Sequence, residues 1–253
     1  MATIHSIVLE NLSHRFLKPN ILDIKLGTIL YDSGASEEKK ARMIQTAKNT
    51  TSFETGVRLT GFQVSNVQWL ALDGFRLLST AGYQVYDTST GHAVNTPKSY
   101  GKSIKVSDLP DGISKFFPIH SGQWTQGLPK EQLLPVLEAI RKHVAAIRDA
   151  FAQLEIRMVG GSFLIIYEGD LERSKQGIAL LTEDVGGDDE EEDEDEEEEE
   201  EENVKPGPAF LVKLIDFAHT EMVPGEGPDE GVLLGIDTTL KLLDDRIAQI
   251  QGV

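Results

Sequence analysis

PNILDIKLG, residues 19 to 27, is the stretch whose reading decides the fold. Leu22, Ile24 and Leu26 alternate with Asp23 and Lys25, the two-residue period of a strand with one buried face. Asp23 and Lys25 then share one side of that strand, away from the apolar row. Pro19 opens the stretch and Gly27 closes it. The acid–base pair by itself has two readings. It is either a surface ion pair worth little, or a lysine fixed beside a nucleotide, able to neutralise charge on a phosphoryl group in transfer.

Before this strand, Ile7-Val8-Leu9 reads as a short buried strand ending at Glu10-Asn11-Leu12. After it, Ser36 reads as a helix cap, followed by Glu37 and Glu38 in the first turn and a basic face of Lys39, Lys40, Arg42 and Lys48. Gly56 to Val64 alternates apolar and polar residues as a half-buried strand does. Residues 85 to 128 are rich in Gly, Ser, Pro and Thr and read mainly as loop and turn. From about Pro129 to Leu154, Leu133, Leu137, Ile140, Val144, Ile147 and Phe151 recur at helical spacing, and Pro135 is expected to bend this helix or mark its true start. SFLIIY (162–167) and FLVKLI (210–215) read as strands of a hairpin whose connection is enlarged. An amphipathic helix carrying Leu233, Leu234, Leu240, Leu243, Ile247 and Ile250 closes the chain.

The net charge of −18 over 253 residues is mostly local. Asp188 to Glu202 is an unbroken run of 15 acids, and the remaining 27 nearly balance 24 bases. Such a run repels itself and buries nothing, so an insertion over 184–207 is expected to be disordered: a solvated loop, or a contact for basic protein partners. Direct binding of nucleic acid is not expected of it. With no cysteine, disulfides, thiolate metal sites and cysteine nucleophiles are excluded. No apolar run approaches the ~20 residues of a membrane span, and the first residues lack the pattern of a signal peptide, so a soluble intracellular protein is expected.

LIDFAH, Leu214 to His219, supplies the second candidate site. An Asp at the end of an apolar strand, followed by Phe, is how phosphotransferases present a magnesium ligand. Magnesium keeps waters and phosphate oxygens, so one or two carboxylates suffice. Alone, the triplet is a weak signal, because an Asp at a strand end is more often a turn residue. Together with PNILDIKLG it resembles the inositol polyphosphate kinase family, whose signature P-x-x-x-D-x-K-x-G is matched at Pro19, Asp23, Lys25 and Gly27, and most of all the family's fungal multikinase branch. TTSFETGVRLTGFQV (50–64), YGK (100–102), DGISKFF (111–117), GSFLIIYEG (161–169) and GIDTTLKLL (235–243) resemble further family blocks in the same order.

The resemblance implies an α+β inositol polyphosphate kinase fold, related to protein kinases and ATP-grasp enzymes. It implies ATP- and Mg²⁺-dependent phosphorylation of soluble inositol polyphosphates, from trisphosphate to tetrakis- and pentakisphosphate. Asp23 would contact the nucleotide ribose, and Lys25 the transferring phosphate and the substrate. Glu10 and Leu12 match the adenine hinge, Asp216 the magnesium ligand, Ser162 a serine near the nucleotide phosphates, and His219 a histidine near the reacting hydroxyl. Gly161 stands where the family has a first serine. Lys39 and Arg42, on one helical face within the inositol-binding segment 28–55, would meet substrate phosphates.

Residues 1–12 match only the last amino-lobe strand and the hinge, and no lysine precedes Lys18, so the expectation over 1–253 is mainly the carboxyl-terminal lobe with hinge. A catalytically impaired fragment or scaffold is therefore the alternative. Within the class the rivals are a hexakisphosphate kinase and a trisphosphate 3-kinase, the compact stretch from Gly27 to Gly56 favouring the multikinase. The resemblance further implies a monomer, nuclear and cytoplasmic, with possible basic transcription-factor partners for Asp188–Glu202.

Overall fold

β1 (Pro19–Leu26) is the strand around which the sheet forms. In the computed structural model, which describes residues 10–62, 84–86, 93–95, 98–120, 127–183 and 207–252, its burial alternates as its sequence does: Leu22, Ile24 and Leu26 are buried, Asp23 and Lys25 half-buried. α1 (Glu37–Lys48) follows, capped by Ser36, whose hydroxyl accepts from Lys39 N. Next come α2 (Ser52–Thr55), β2 (Val57–Phe62), β3 (Gln84–Tyr86), β4 (Ala93–Asn95), α3 (Lys98–Ser103) and α4 (Leu109–Phe116). The second half holds α5 (Lys130–Phe151), β5 (Ile156–Met158), β6 (Ser162–Glu168), α6 (Leu171–Glu183), β7 (Phe210–Ile215), β8 (Thr220–Met222) and α7 (Glu230–Gln251). The expected strand at Ile7–Leu9 and the acidic run 188–202 lie outside the described residues.

The main sheet runs β4-β3-β1-β6-β7, with β2 also on β1, and its pairings are antiparallel. β5 and β8 form a separate ribbon. The register places Lys25 opposite Ser162 and Ser162 opposite Ile215, so one row crosses three strands and ends beside Asp216. One side of the sheet packs Leu22, Ile24, Phe163 and Ile165 into a core shared with Leu137, Ile140 and Val144 of α5 and Ile236 and Leu243 of α7.

Two tight backbone approaches explain glycines of the family blocks. Gly27, at φ +96°, lets the chain leave β1 while its N–H bonds Gly56 O at 2.8 Å. Gly56 in turn lies against Gly235 of α7, where a Cβ on either residue would strike the other's backbone. β1, the turn into β2 and the closing helix meet at these positions, which a side chain would force apart.

The structure corrects three local expectations and, for Pro135, sets aside one of two alternatives, the helix start. Residues 98–116 are helical rather than loop: Pro110 occupies the first turn of α4, where no N–H is needed, and Leu109, Ile113 and Phe116 are buried. Buried Tyr167 donates to Phe116 O at 2.9 Å and stacks on Phe117, and Arg246 donates to Phe117 O. The β6–β7 hairpin carries α6 before the acidic run, with Leu171, Ile178 and Leu181 against the core. Pro135 neither starts nor ends α5; in the second turn it removes only one intrahelical donor, and the helix runs from Lys130 through it and stops at Phe151, leaving Leu154 exposed. Leu234, expected on the apolar face of α7, is also exposed.

Candidate functional site

Lys25 is the centre of the site. β1 carries its ammonium to the open end of the sheet, where Nζ donates to Gly160 O at 3.0 Å and to Asp216 Oδ2 at 2.5 Å. Asp216 follows β7 directly and turns the chain out of the sheet at φ 70° and ψ 50°. Among the described residues it alone, glycines apart, has positive φ. Asp tolerates this conformation better than most residues, at a cost of about 1 kcal/mol. The turn sets its carboxylate, half-exposed, against Lys25.

Asp23 lies two residues back on the same face. Burial holds its carboxyl above the usual carboxylate range, against the opposing pull of Lys25 and the Ser162 and Thr60 hydroxyls, while Asp216 adds to the rise. Asp23, Lys25, Ser162 and Asp216 therefore form one electrostatically coupled group, brought together by strand register alone. A Cβ at Gly161 would meet the flexible Met158 side chain, which would have to shift.

The other expected residues divide. His219 ends a short 3-10 turn (Phe217–His219), and its Nδ1 lies 3.6 Å from Asp32 Oδ2. The same oxygen accepts from Lys39 Nζ at 2.9 Å, and this hydrogen bond is the main reason the Asp32 carboxyl sits below its ordinary range. A cavity of about 170 Å³ opens here, lined among others by Gly27, Tyr31, Asp32, Arg157, His219 and Asp229. Arg42 is exposed on α1 and does not line it. Glu10 is exposed and Leu12 half-buried, in the turn before β1 at the opposite end of the strand from Lys25.

Sequence reasoning missed three contributors. Buried Glu168, in YEG, accepts from the N–H groups of Leu17, Lys18 and Asp170 at 2.7, 2.9 and 2.8 Å, tying the Glu10–Lys18 segment to β6. Arg157 donates to Glu226 O and Gly227 O, clamping the loop before α7. Asp32 lies in the loop ahead of α1, seven residues before Lys39, whose ammonium donates to its carboxylate.

Among the described residues, no three His, Asp or Glu side chains are grouped to hold a metal by themselves. Asp216, with Asp23 beside it, fits instead a hard divalent cation that takes its other ligands from phosphate oxygens and water. No described helix is long and apolar enough to cross a membrane.

A sheet end that sets lysine against a strand-terminal carboxylate, with a cavity next to it, is the arrangement of a phosphotransferase cleft. The inositol polyphosphate kinase family model matches residues 6–244, and the chain belongs to that family. It is 38% identical over 249 residues to the inositol polyphosphate multikinase of Saccharomyces cerevisiae, covering 93% of this chain and 67% of that protein. It is 30% identical to inositol hexakisphosphate kinase 3 of Mus musculus, covering 94% of this chain and 50% of the relative, so it spans only about half the length of that relative. The crystal structure of the S. cerevisiae inositol phosphate multikinase with ADP and Mn²⁺ superposes with a TM-score of 0.66 at 30% identity, covering 94% of this chain and 82% of that one. The expected family, its multikinase likeness and the kinase fold are thus met.

Proposed function

We propose that this chain uses Mg-ATP to phosphorylate hydroxyls of soluble inositol polyphosphates, converting the trisphosphate to tetrakis- and pentakisphosphate. The observation that carries the reading is the juxtaposition of Lys25 and Asp216 across three strands, 2.5 Å apart, in a chain of this family. Lys25 would leave the Asp216 carboxylate for the γ-phosphate, holding it while a substrate hydroxyl oxygen bonds to phosphorus and the bridging P–O bond to ADP breaks. Asp23 would hold the ribose, Ser162 the nucleotide phosphates, and Glu10 and Leu12 the adenine. Lys39 and Arg42 would meet substrate phosphates, and His219 the acceptor hydroxyl. Magnesium at Asp216 would supply charge neutralisation on the ATP phosphates. Positioning is the main source of rate in such a site.

The multikinase is favoured over a hexakisphosphate kinase by the higher identity to the former, and over a trisphosphate 3-kinase by the short segment between Gly27 and Gly56. The 15-residue acidic run supports a second, compatible role, in which a monomer shared between cytoplasm and nucleus engages basic transcription factors. Calorimetric titration with ATP separates enzyme from pure scaffold. Binding that requires Mg²⁺ and is lost in Asp216→Ala is expected; binding that is absent, or indifferent to the metal and the substitution, contradicts the kinase reading.

A further inference from the structure

We propose that Asp32 is a positioning residue for the acceptor side of the site: at the wall of the cavity, one carboxylate oxygen joins Lys39 of α1 to His219 of the turn after β7. This rests on the reading of Lys39 and His219 as substrate-side groups. The two side chains arise 180 residues apart in the chain, and the contacts that join them run through Asp32 Oδ2, at 2.9 Å from Lys39 Nζ and 3.6 Å from His219 Nδ1. The anchor is the least exposed of the three. The Asp32 side chain is 19% exposed, against 41% for Lys39 and 60% for His219.

The neighbouring residue repeats the connection. Ser33 Oγ donates to Glu221 Oε1 at 2.5 Å, so consecutive residues of the β1–α1 loop contact His219 and the residue two positions after it. Three residues on, Ser36 caps α1 and fixes the start of the helix that presents Lys39. A carboxylate in a cavity for polyphosphates would repel them if it stood alone. Here its charge is met by Lys39, whose ammonium has three N–H donors and keeps others for a ligand. Asp32 thus trades a small electrostatic penalty for the alignment of two flexible side chains, and misplacement of such groups by 1 Å costs on the order of 100-fold in rate.

The test uses the full chain and Asp32→Asn, which preserves shape and removes the charge, with thermal denaturation to confirm folding. With inositol 1,4,5-trisphosphate, kcat/KM is expected to fall about 10- to 100-fold, while KM for ATP stays within about twofold, because Asp32 touches nothing on the Lys25–Asp216 side. In a cycle with Lys39→Met, read as affinity for inositol 1,4,5-trisphosphate, the two losses should be far from additive. The imidazole NMR signal of His219, assigned by its disappearance in His219→Ala, should shift in Asp32→Asn. An active wild type with an unaffected Asp32→Asn, fully additive losses, or an unmoved His219 signal overturns the positioning role alone. A wild type that neither binds nor phosphorylates the trisphosphate overturns the acceptor reading and this inference together.

Discussion

Asp23 pays for its place in the site. A buried carboxyl held above its ordinary value favours the folded state only while protonated: that contribution is present below the unfolded value of 3.8 and is lost as pH rises through the raised folded value. At neutral pH the ionised group therefore opposes folding. Asp23→Asn is expected to raise the midpoint of thermal unfolding at pH 7, with the gain shrinking toward pH 4, while weakening Mg-ATP binding in calorimetry. A lower midpoint at pH 7 would refute this. Asp216 offers a complementary case. Asn tolerates left-handed backbone nearly as well as Asp, so Asp216→Asn should leave the unfolding midpoint within about 2 °C and still abolish Mg²⁺-dependent nucleotide binding. The pattern of the sequence placed Lys25, Asp23 and Asp216 on or at the end of strands, and the family resemblance implied their roles. Asp32 and Glu168 were not legible in sequence, since their partners, Lys39 and His219 for one and three backbone N–H groups for the other, come together only through tertiary contacts.

At the scale of elements, buried packing and surface charge contribute unequally. Between α5 and α7, Arg141 forks onto Asp244 and Arg148 onto Asp237, all four side chains well exposed. Such pairs are worth about 0–1 kcal/mol each, whereas truncating fully buried Leu137 of the same helix costs about 2–5 kcal/mol. Urea unfolding of Arg148→Ala and Leu137→Ala should separate by that margin. Gly235→Ala, though on a helix, should destabilise by about 1–3 kcal/mol, because its methyl meets the backbone of Gly56. A neutral or stabilising Gly235→Ala would show that the approach of α7 to the β1–β2 turn is not tight. Long elements with a strong period, β1, β6, β7, α5 and α7, could be read from sequence. α4 and α6 could not: in each a glycine interrupts few apolar residues, so burial against neighbours rather than local pattern makes them helical.

For the whole molecule, the main consequence is a division of labour between a nearly charge-balanced kinase fold and the acidic run that carries most of the net charge. β6 and β7 pair directly along Tyr167–Ser162 and Phe210–Ile215, independently of what their connection contains. Deleting 188–202 is accordingly expected to leave the unfolding midpoint within about 2 °C and ATP binding unchanged, while abolishing any salt-sensitive association with basic proteins. Loss of folding on deletion would assign the run a structural part that the strand pairing gives no reason to expect. The central claim, that Lys25 set against Asp216 transfers phosphate to an inositol polyphosphate, is tested most directly by incubating the purified 253-residue chain with Mg-ATP and inositol 1,4,5-trisphosphate beside Lys25→Ala. The account predicts tetrakisphosphate from the wild type and at least a 100-fold loss in the variant, the order of effect of removing one preorganised charge-stabilising donor. Equal turnover by both would contradict it.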